Sequence, residues 1–210
     1  HPGLEADPAL MSHIPQYQQI EGYTDPGLYT KLYARGVEAA DTAVGWVIEA
    51  IKATGRYDDA LIIFFSDHGE GFQERDLWFD HGAYPHVEQA RVPLLVKLPK
   101  GTDAGTADGR LVSLIDIAPT ALAMASLQAL PDAEGVSLRQ SGVLHPSLSA
   151  ESSHCKRIDV LPCSPHGGAG KVVAVRTSAL TLVSEPRGKA EQETLYHRGA
   201  DPKEWMPEKM

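Results

Sequence analysis

The segment Ala60-Leu61-Ile62-Ile63-Phe64-Phe65-Ser66-Asp67-His68-Gly69-Glu70-Gly71 decides how the fold of this sequence is interpreted. Its first six residues form an uninterrupted apolar run of strand length, and polar residues and glycines follow. Continuous hydrophobicity, in contrast to alternation, is typical of a strand that is buried on both faces of a helix-covered parallel sheet. The segment therefore predicts a buried strand that ends in a polar loop.

A long amphipathic helix is predicted directly before that strand, over residues 28–54. Its apolar residues recur at intervals of three or four, which places them on one helix face: Tyr33, Val37, Ala40, Val44, Val47, Ile48 and Ile51. Asp25-Pro26 is a typical start signal and Gly55 a typical stop signal. Gly36 and Gly45 lie within the helix, and we expect close packing at both positions.

Downstream segments extend this α/β pattern. Residues 91–99 predict a second buried strand with Pro93 near its start, and residues 112–127 predict a scaffold helix. The stretch 131–170 is rich in proline, glycine and serine, which predicts a long connection. Short strands of an antiparallel appendage are expected at three places: 172–177, 180–183 and 195–197.

These signals together predict an α/β fold with three regions. Residues 1–130 form a domain whose mostly parallel sheet is covered by helices, residues 131–170 form a long loop region, and residues 171–210 form a small antiparallel subdomain. The length of 210 residues and the hydrophobic fraction of 42% are sufficient for one domain with a core and a small appendage.

Composition excludes several functional classes. The net charge of −9 argues against non-specific nucleic-acid binding. The longest apolar run has six residues, whereas a membrane span needs about 20. Two cysteines cannot form a disulfide scaffold. The sequence starts at His1 without a targeting segment, so we expect it to be part of a larger protein. Nothing in it indicates an oligomeric state.

The polar loop after the predicted strand contains a candidate metal-binding pair, Asp67 and His68. In open α/β sheets, ligands bind beyond the carboxyl ends of the strands. Gly69 and Gly71 provide the backbone freedom that lets both side chains face one ion. A carboxylate with an imidazole suits zinc, manganese or iron, and a carboxylate also suits calcium or magnesium. The structural alternative is an Asx-turn followed by a surface histidine.

Further motifs follow in a specific order. Asp80-His81-Gly82 precedes Glu88, and Arg91-Val92-Pro93-Leu94 comes next. Together with Ser66-Asp67-His68-Gly69-Glu70, this order resembles the sulfatase family of the alkaline-phosphatase-like superfamily. Three segments farther along have counterparts in that family: Ile115 to Thr120, Gly135 to Leu138 and Asp201 to Glu204.

The resemblance implies a metal-dependent hydrolase that acts on small sulfate or phosphate esters. Asp67 and His68 would bind a divalent ion, which is calcium, manganese or zinc. His81 would be catalytic, either binding a sulfuryl or phosphoryl oxygen or protonating the leaving group. Residues 1–130 would be the later part of the catalytic domain. Many relatives act outside the cytoplasm, which favours an extracytoplasmic location.

The resemblance also implies a nucleophile that this sequence does not supply in the expected place. Sulfatases use a formylglycine made from the cysteine of a Cys-x-Pro-x-Arg motif, and phosphoryl-transferring relatives use serine or threonine. The first 66 residues contain no cysteine, so we expect the nucleophile upstream of His1. Cys163-Ser164-Pro165-His166-Gly167 lacks the arginine and lies downstream, and we interpret it as a coincidence.

Other histidines and cysteines have weaker assignments. His154, Cys155, Cys163 and His166 allow a small zinc site, a Cys155–Cys163 disulfide or no pairing at all. His1 and His13-Ile14-Pro15-Gln16-Tyr17 each match a substrate-binding element of the family only in part.

The loop that precedes the second strand carries three residues without a predicted catalytic role. We expect His86 to be structural, and Glu88 and Arg91 to pair with nearby loops. Two alternatives to a sulfatase stay open. One is a phosphodiesterase, phosphonate hydrolase or phosphoethanolamine transferase on the same fold, and the other is a non-catalytic binding domain.

Overall fold

The computed structural model describes residues 8–23, 25–74, 78–82, 84–152, 172–187 and 190–207. The chain divides into two compact units. The first comprises His1–Ile62, Glu70–His81 and Lys97–Ala104, and the second comprises Ile63–Gly69, Gly82–Val96 and Gly105–Met210. The candidate residues His1, His154, Cys155, Cys163 and His166 lie outside the described residues.

The long helix predicted before the strand is confirmed as α1, Pro26–Ala53, in the first unit. The Asp25 side chain accepts a hydrogen bond of 2.8 Å from the backbone N–H of Gly27, and Pro26 occupies the first turn. These are the features that satisfy the free N–H groups at a helix start. The helix ends before Gly55, whose φ of 70° is easily adopted only by glycine.

The apolar face of α1 is largely exposed in this structure. Val37 and Val47 are 53% and 58% exposed, and Trp46 on the adjoining surface is 72% exposed. The predicted close packing at Gly36 and Gly45 is wrong, because a Cβ added at either position meets no described atom within 4 Å. Apolar periodicity indicates which helix face can be buried, but packing partners determine whether that face is buried.

The core of the first unit is aromatic. Strands β2, Gly71–Phe72, and β3, Trp78–Asp80, pair in antiparallel fashion within a region that the sequence predicted as loop. Short 3-10 helices at Pro8–His13 and Gln16–Gln18 precede α1. The cluster consists of buried residues and two partly buried ones: Ile14, Tyr29, Trp78, Phe79, Met11 and Phe72.

The predicted central strands are present as β1, Ile62–Phe65, and β4, Leu94–Lys97, which pair with each other. Their full burial is not observed, because Phe64 and Phe65 are 43% and 44% exposed. Adjacent residues of a strand point to opposite faces, so both faces of β1 are only partly covered by described residues. The mostly parallel, helix-covered sheet remains a prediction.

The antiparallel sheet near the carboxyl end lies in the second unit and has four strands in the order β5-β6-β7-β8, all antiparallel. The strands span Leu148–Ser152, Val172–Arg176, Leu180–Arg187 and Ala190–His197. Three of them confirm predicted strands. Strand β5 lies inside the region that the sequence predicted as loop. It was not predicted because it forms by pairing with β6, which is remote in sequence, and residues near β5 give no signal of that pairing.

The predicted scaffold helix is shorter than expected and is anchored by a buried carboxylate. Helix α3 spans Ile117–Met124 and follows a 3-10 turn at Leu114–Asp116. Asp116 is fully buried and accepts hydrogen bonds of 2.9 Å from the backbone N–H groups of Ser113 and Val136. No helix of the described residues is long and apolar enough to span a membrane.

Candidate active site

Asp67 and His68 follow β1 directly, in the second unit, as the sequence predicts. The side chains of Asp67 and His68 are 82% and 44% exposed. Local hydrogen bonds hold the turn: Asp67 Oδ1 accepts from the backbone N–H of His68 at 2.9 Å, and Ser66 Oγ donates to the His68 carbonyl at 2.7 Å. Both side chains are therefore accessible to a ligand from solvent.

The spacing and the ring orientation of the pair suit a divalent ion. Asp67 Oδ2 lies 3.7 Å from His68 Nε2, and two metal–ligand bonds of about 2.1 Å can span up to roughly 4.2 Å. His68 Nδ1 lies 2.8 Å from the carbonyl oxygen of Gly69. Because a carbonyl oxygen only accepts, Nδ1 carries a proton, and in the neutral ring Nε2 is then the nitrogen with a lone pair for a metal.

The pair supplies only two donors. Within the described part of the chain, no group of three or more histidine, cysteine, aspartate or glutamate side chains is arranged to hold a metal ion. Structural and catalytic zinc sites use three or four protein ligands, and calcium takes six to eight oxygens. The two side chains are suitable donors for a divalent ion, and such an ion would need further donors besides them.

A close backbone contact fixes the loop behind this pair. The Gly69 N–H donates to the carbonyl of Gln89 at 2.8 Å, on the short helix α2, Val87–Ala90. The side-chain oxygen of Gln89 accepts from the Gly82 N–H at 2.6 Å. A Cβ built on Gly69 would overlap the carbonyl oxygen of Glu88. Glycine is therefore needed for the loop to approach α2 this closely.

Substitution of Gly69 with alanine is expected to lower the free energy of unfolding by about 1–3 kcal/mol, because the methyl group must push the loop away from α2. Urea denaturation monitored by circular dichroism measures this change. Gly45→Ala is the matched control, since its Cβ meets no described atom. It is expected to raise stability by up to about 1 kcal/mol. Equal stability of Gly69→Ala and the wild type would contradict the close contact.

His81 lies in the first unit, directly after β3. Its Nδ1 is 3.4 Å from Glu70 Oε2, and its backbone N–H donates to Asp80 Oδ1 at 2.9 Å. The Glu70 side chain is only 15% exposed, and among the described residues its Oε1 has no hydrogen-bond partner. Burial raises the pKa of the Glu70 carboxyl above its ordinary value, although His81 opposes this rise. Glu70 thus orients one ring nitrogen of His81.

Glu70 and Tyr17 contact residues at and just after the end of β3, and the sequence alone predicts neither contact. The Tyr17 hydroxyl donates to Asp80 Oδ1 at 2.6 Å, and the His13 ring lies 5.3 Å from the Trp78 ring. Desolvation and the bond to Asp80 raise the pKa of Tyr17 to about 12. The incomplete family element at residues 13–17 is therefore placed beside β3, the strand that leads to His81. In the sequence, the partial match of residues 13–17 to the family's substrate-binding element was the only indication of this placement.

His86 and Glu88, for which no catalytic role is predicted, contact residues that are remote in sequence. His86 is 3% exposed and lies between two carboxylates, with Nδ1 at 3.3 Å from Glu204 and Nε2 at 3.5 Å from Glu185. Glu88 Oε1 accepts from the indole N–H of Trp205 at 3.2 Å. Both contacts join the loop before β4 to residues near the carboxyl end of the sequence.

The sequence of this chain is similar to those of known proteins. A family model described as Sulfatase matches residues 10–127. An N-acetylglucosamine-6-O-sulfatase from Bacteroides thetaiotaomicron is 31% identical over 111 residues, which cover 53% of this chain and 20% of that protein. The chain spans only about a fifth of the length of that curated relative.

Two solved structures share the fold. One, in complex with its substrate D-glucosamine-2-N,6-O-disulfate, has a TM-score of 0.64 and 22% identity, covering 93% of this chain and 40% of that one. The other, a phosphonate monoester hydrolase from Silicibacter pomeroyi, has a TM-score of 0.69 and 23% identity with the same coverage. At these identities, the likeness establishes the alkaline-phosphatase-like fold alone.

Proposed function

Because this chain belongs to the sulfatase family, we propose that it takes part in metal-dependent hydrolysis of sulfate esters, as the carboxy-terminal part of a larger enzyme. The observation that carries the proposal is the distance of 3.7 Å between Asp67 Oδ2 and His68 Nε2, just after the end of β1. The matched segment covers only 20% of the N-acetylglucosamine-6-O-sulfatase, so in this proposal the nucleophile is supplied by a part of the enzyme outside that segment.

Asp67 and His68 are the residues that would hold the divalent ion, with manganese or zinc favoured by the imidazole and calcium accommodated by the carboxylate. When bound, such an ion acts as a Lewis acid and as a template for the ester oxygens. Asp67 contributes negative charge, and His68 contributes a neutral nitrogen whose orientation is fixed by the Gly69 carbonyl. The exposed position of both side chains leaves room for an ester group.

His81 acts as the general acid in this proposal. When the nucleophile forms a bond to the sulfur of the ester, the bond between sulfur and the leaving-group oxygen breaks. That oxygen requires a proton when the leaving group is a poor one. Glu70 accepts from Nδ1 of His81, which leaves Nε2 as the nitrogen that exchanges a proton with the ester. The role of Glu70 is to fix the ring and its tautomer.

Replacement of His81 by alanine is expected to lower kcat/KM by about 10²–10⁴-fold for alkyl sulfates, which have poor leaving groups. The loss for p-nitrophenyl sulfate is expected to be much smaller, because its leaving group needs no proton. Steady-state kinetics with both esters on the full-length protein measure the difference. His197→Ala, an exposed histidine on β8, serves as the control.

Equal losses for the two esters would show that His81 binds an oxygen and does not donate a proton. Unchanged kinetics with both esters would remove His81 from the active site altogether.

A second candidate function is hydrolysis of phosphonate or phosphate esters on the same scaffold, which the likeness to a phosphonate monoester hydrolase favours. A substrate panel of alkyl sulfates, phosphate diesters and phosphonate monoesters, assayed with the full-length protein and Mn²⁺, decides between the two. Preference for the sulfate by at least about tenfold in kcat/KM supports the sulfatase. Turnover of none of the three classes supports a non-catalytic domain.

A further inference from the structure

A buried carboxylate near the carboxyl end contacts the helix that supports the candidate metal pair. Glu204 is 3% exposed. Its Oε2 accepts from the backbone N–H of Val87 at 3.1 Å and lies 3.3 Å from His86 Nδ1. Val87 is the first residue of α2, so one side chain holds the start of this helix across 117 residues of sequence.

An arginine of the antiparallel sheet holds that carboxylate in turn. Arg176, at the end of β6, donates from Nε and Nη2 to Glu204 Oε1 at 3.1 and 3.0 Å. The same Nη2 donates to the Pro85 carbonyl at 2.7 Å. Burial acts to raise the pKa of Glu204, but the bond from His86 and the charge of Arg176 lower it to about 2. Glu204 is therefore an ionised carboxylate, and its hydrogen bonds are charge-assisted.

Helix α2 in turn holds the backbone beside the metal pair. The carbonyl of Gln89 accepts from the Gly69 N–H at 2.8 Å, and the Glu88 carbonyl lies where a Cβ of Gly69 would be. Gly69 follows His68 directly, and its carbonyl oxygen also sets the tautomer of that histidine. Any shift of α2 therefore moves the residue that orients the His68 ring. All of these residues belong to the second unit.

We propose that Glu204 is a positioning residue for the Asp67–His68 metal pair, acting through α2 and Gly69. Arg176 fixes the carboxylate, the carboxylate fixes the start of α2, and α2 fixes the backbone that sets the separation of Asp67 Oδ2 and His68 Nε2. The proposal rests on the proposed function in one respect, which is that this pair binds a divalent ion. The antiparallel sheet thereby supports the active site as well as the carboxyl end of the chain.

The test is Glu204→Gln in the full-length protein, which keeps the size of the side chain and removes its charge. Hydrogen–deuterium exchange at Gly69 and across α2 is expected to accelerate by about tenfold or more. The Kd for Mn²⁺, measured by titration with the metal alone, is expected to rise by about 10–100-fold, as is typical when support of a ligand is lost. Saturating Mn²⁺ should restore most of kcat, because the expected defect lies in the affinity for the metal.

Glu185→Gln is the matched control, because Glu185 contacts the other ring nitrogen of the same His86 at 3.5 Å. It is expected to change exchange at Gly69 and the Mn²⁺ affinity by less than about twofold. If Glu204→Gln does not fold, Glu204→Asp takes its place. Aspartate keeps the charge but is one methylene shorter, so exchange at Gly69 and across α2 and the Kd for Mn²⁺ are expected to rise by less than in Glu204→Gln.

A folded Glu204 variant with accelerated exchange in α2 but unchanged exchange at Gly69 and unchanged Mn²⁺ affinity would overturn the proposal. Failure of the proposed function looks different, because the wild type would then bind no Mn²⁺ and hydrolyse no ester. In that case exchange at Gly69 still decides whether Glu204 positions this loop.

Discussion

Replacement of Asp116 by alanine is expected to lower the free energy of unfolding by about 3–5 kcal/mol, the largest loss of stability that we predict for a single substitution. Asp116 is fully buried, and its carboxylate accepts from two backbone N–H groups and from the His145 ring at 2.9 and 3.0 Å. Alanine leaves all of these donors without their acceptor. A buried donor without a partner costs about 1–3 kcal/mol.

The position of Asp116 in the second unit explains why this loss is large. The carboxylate joins the turn before α3 to Val136 and His145, which are remote in sequence. Beside it, the Thr120 hydroxyl donates to the Asp116 carbonyl at 2.7 Å and accepts from the Leu138 N–H at 2.9 Å. One side chain therefore holds both ends of a segment that has little regular secondary structure of its own.

Urea denaturation of the variant gives the free energy of unfolding directly. Asp108→Ala is the control, because Asp108 forms an ion pair with Arg110 while remaining 53% exposed. An exposed pair contributes at most about 1 kcal/mol. The anchoring role of Asp116 is wrong if its loss of stability does not exceed that of Asp108→Ala.

Replacement of Asp67 by alanine is expected to have the opposite signature, a large loss of activity with little change in stability. Loss of a metal ligand removes several kcal/mol of transition-state stabilisation, which corresponds to about 10³-fold or more in kcat/KM. The free energy of unfolding should change by no more than about 0.5 kcal/mol, because the Asp67 side chain is 82% exposed.

The experiment combines ester hydrolysis by the full-length protein with determination of bound metal by mass spectrometry. Asp59→Ala is the control, since the Asp59 side chain is 72% exposed and pairs with Lys100 at 3.3 Å. It should retain full activity and full metal content. Unchanged ester hydrolysis by Asp67→Ala would refute the proposed role of the metal pair.

His68→Asn extends this test to the identity of the metal. An amide oxygen replaces the imidazole nitrogen, and calcium prefers oxygen ligands while manganese and zinc accept nitrogen. The variant is expected to shift the metal preference towards calcium, measured as the ratio of the Kd values for Ca²⁺ and Mn²⁺. A ratio equal to that of the wild type would place His68 outside the set of metal ligands.

Local signals were sufficient for much of the fold. The periodicity of residues 28–54 predicted α1, and the apolar run that ends at Phe65 predicted β1. Strands β6 and β7 were predicted from their short β-branched segments. Such signals are readable because helix and strand formation depend on neighbouring residues and on turn residues at the ends. For the same reason, the sequence placed Asp67 and His68 directly after a strand.

Burial could not be predicted in the same way. Phe64 and Phe65 are apolar, and the sequence predicted that they are covered on both faces, yet both remain more than 40% exposed in the described structure. Gly36 and Gly45 were expected to be packing positions and meet no described atom. Hydrophobicity indicates how much free energy a side chain gains when it is buried. Whether it is buried depends on other segments of the protein that pack against it.

By itself, the sequence determined the long helix, the main strands, the metal-binding candidates after β1 and the family resemblance, because each depends on residues close together in the chain. Only the tertiary structure decided which remote groups meet: Glu70 with His81, Asp116 with His145, and Glu204 with the start of α2. These contacts span 11, 29 and 117 residues. They form because buried polar groups must find partners, and only folding brings those partners within hydrogen-bond distance.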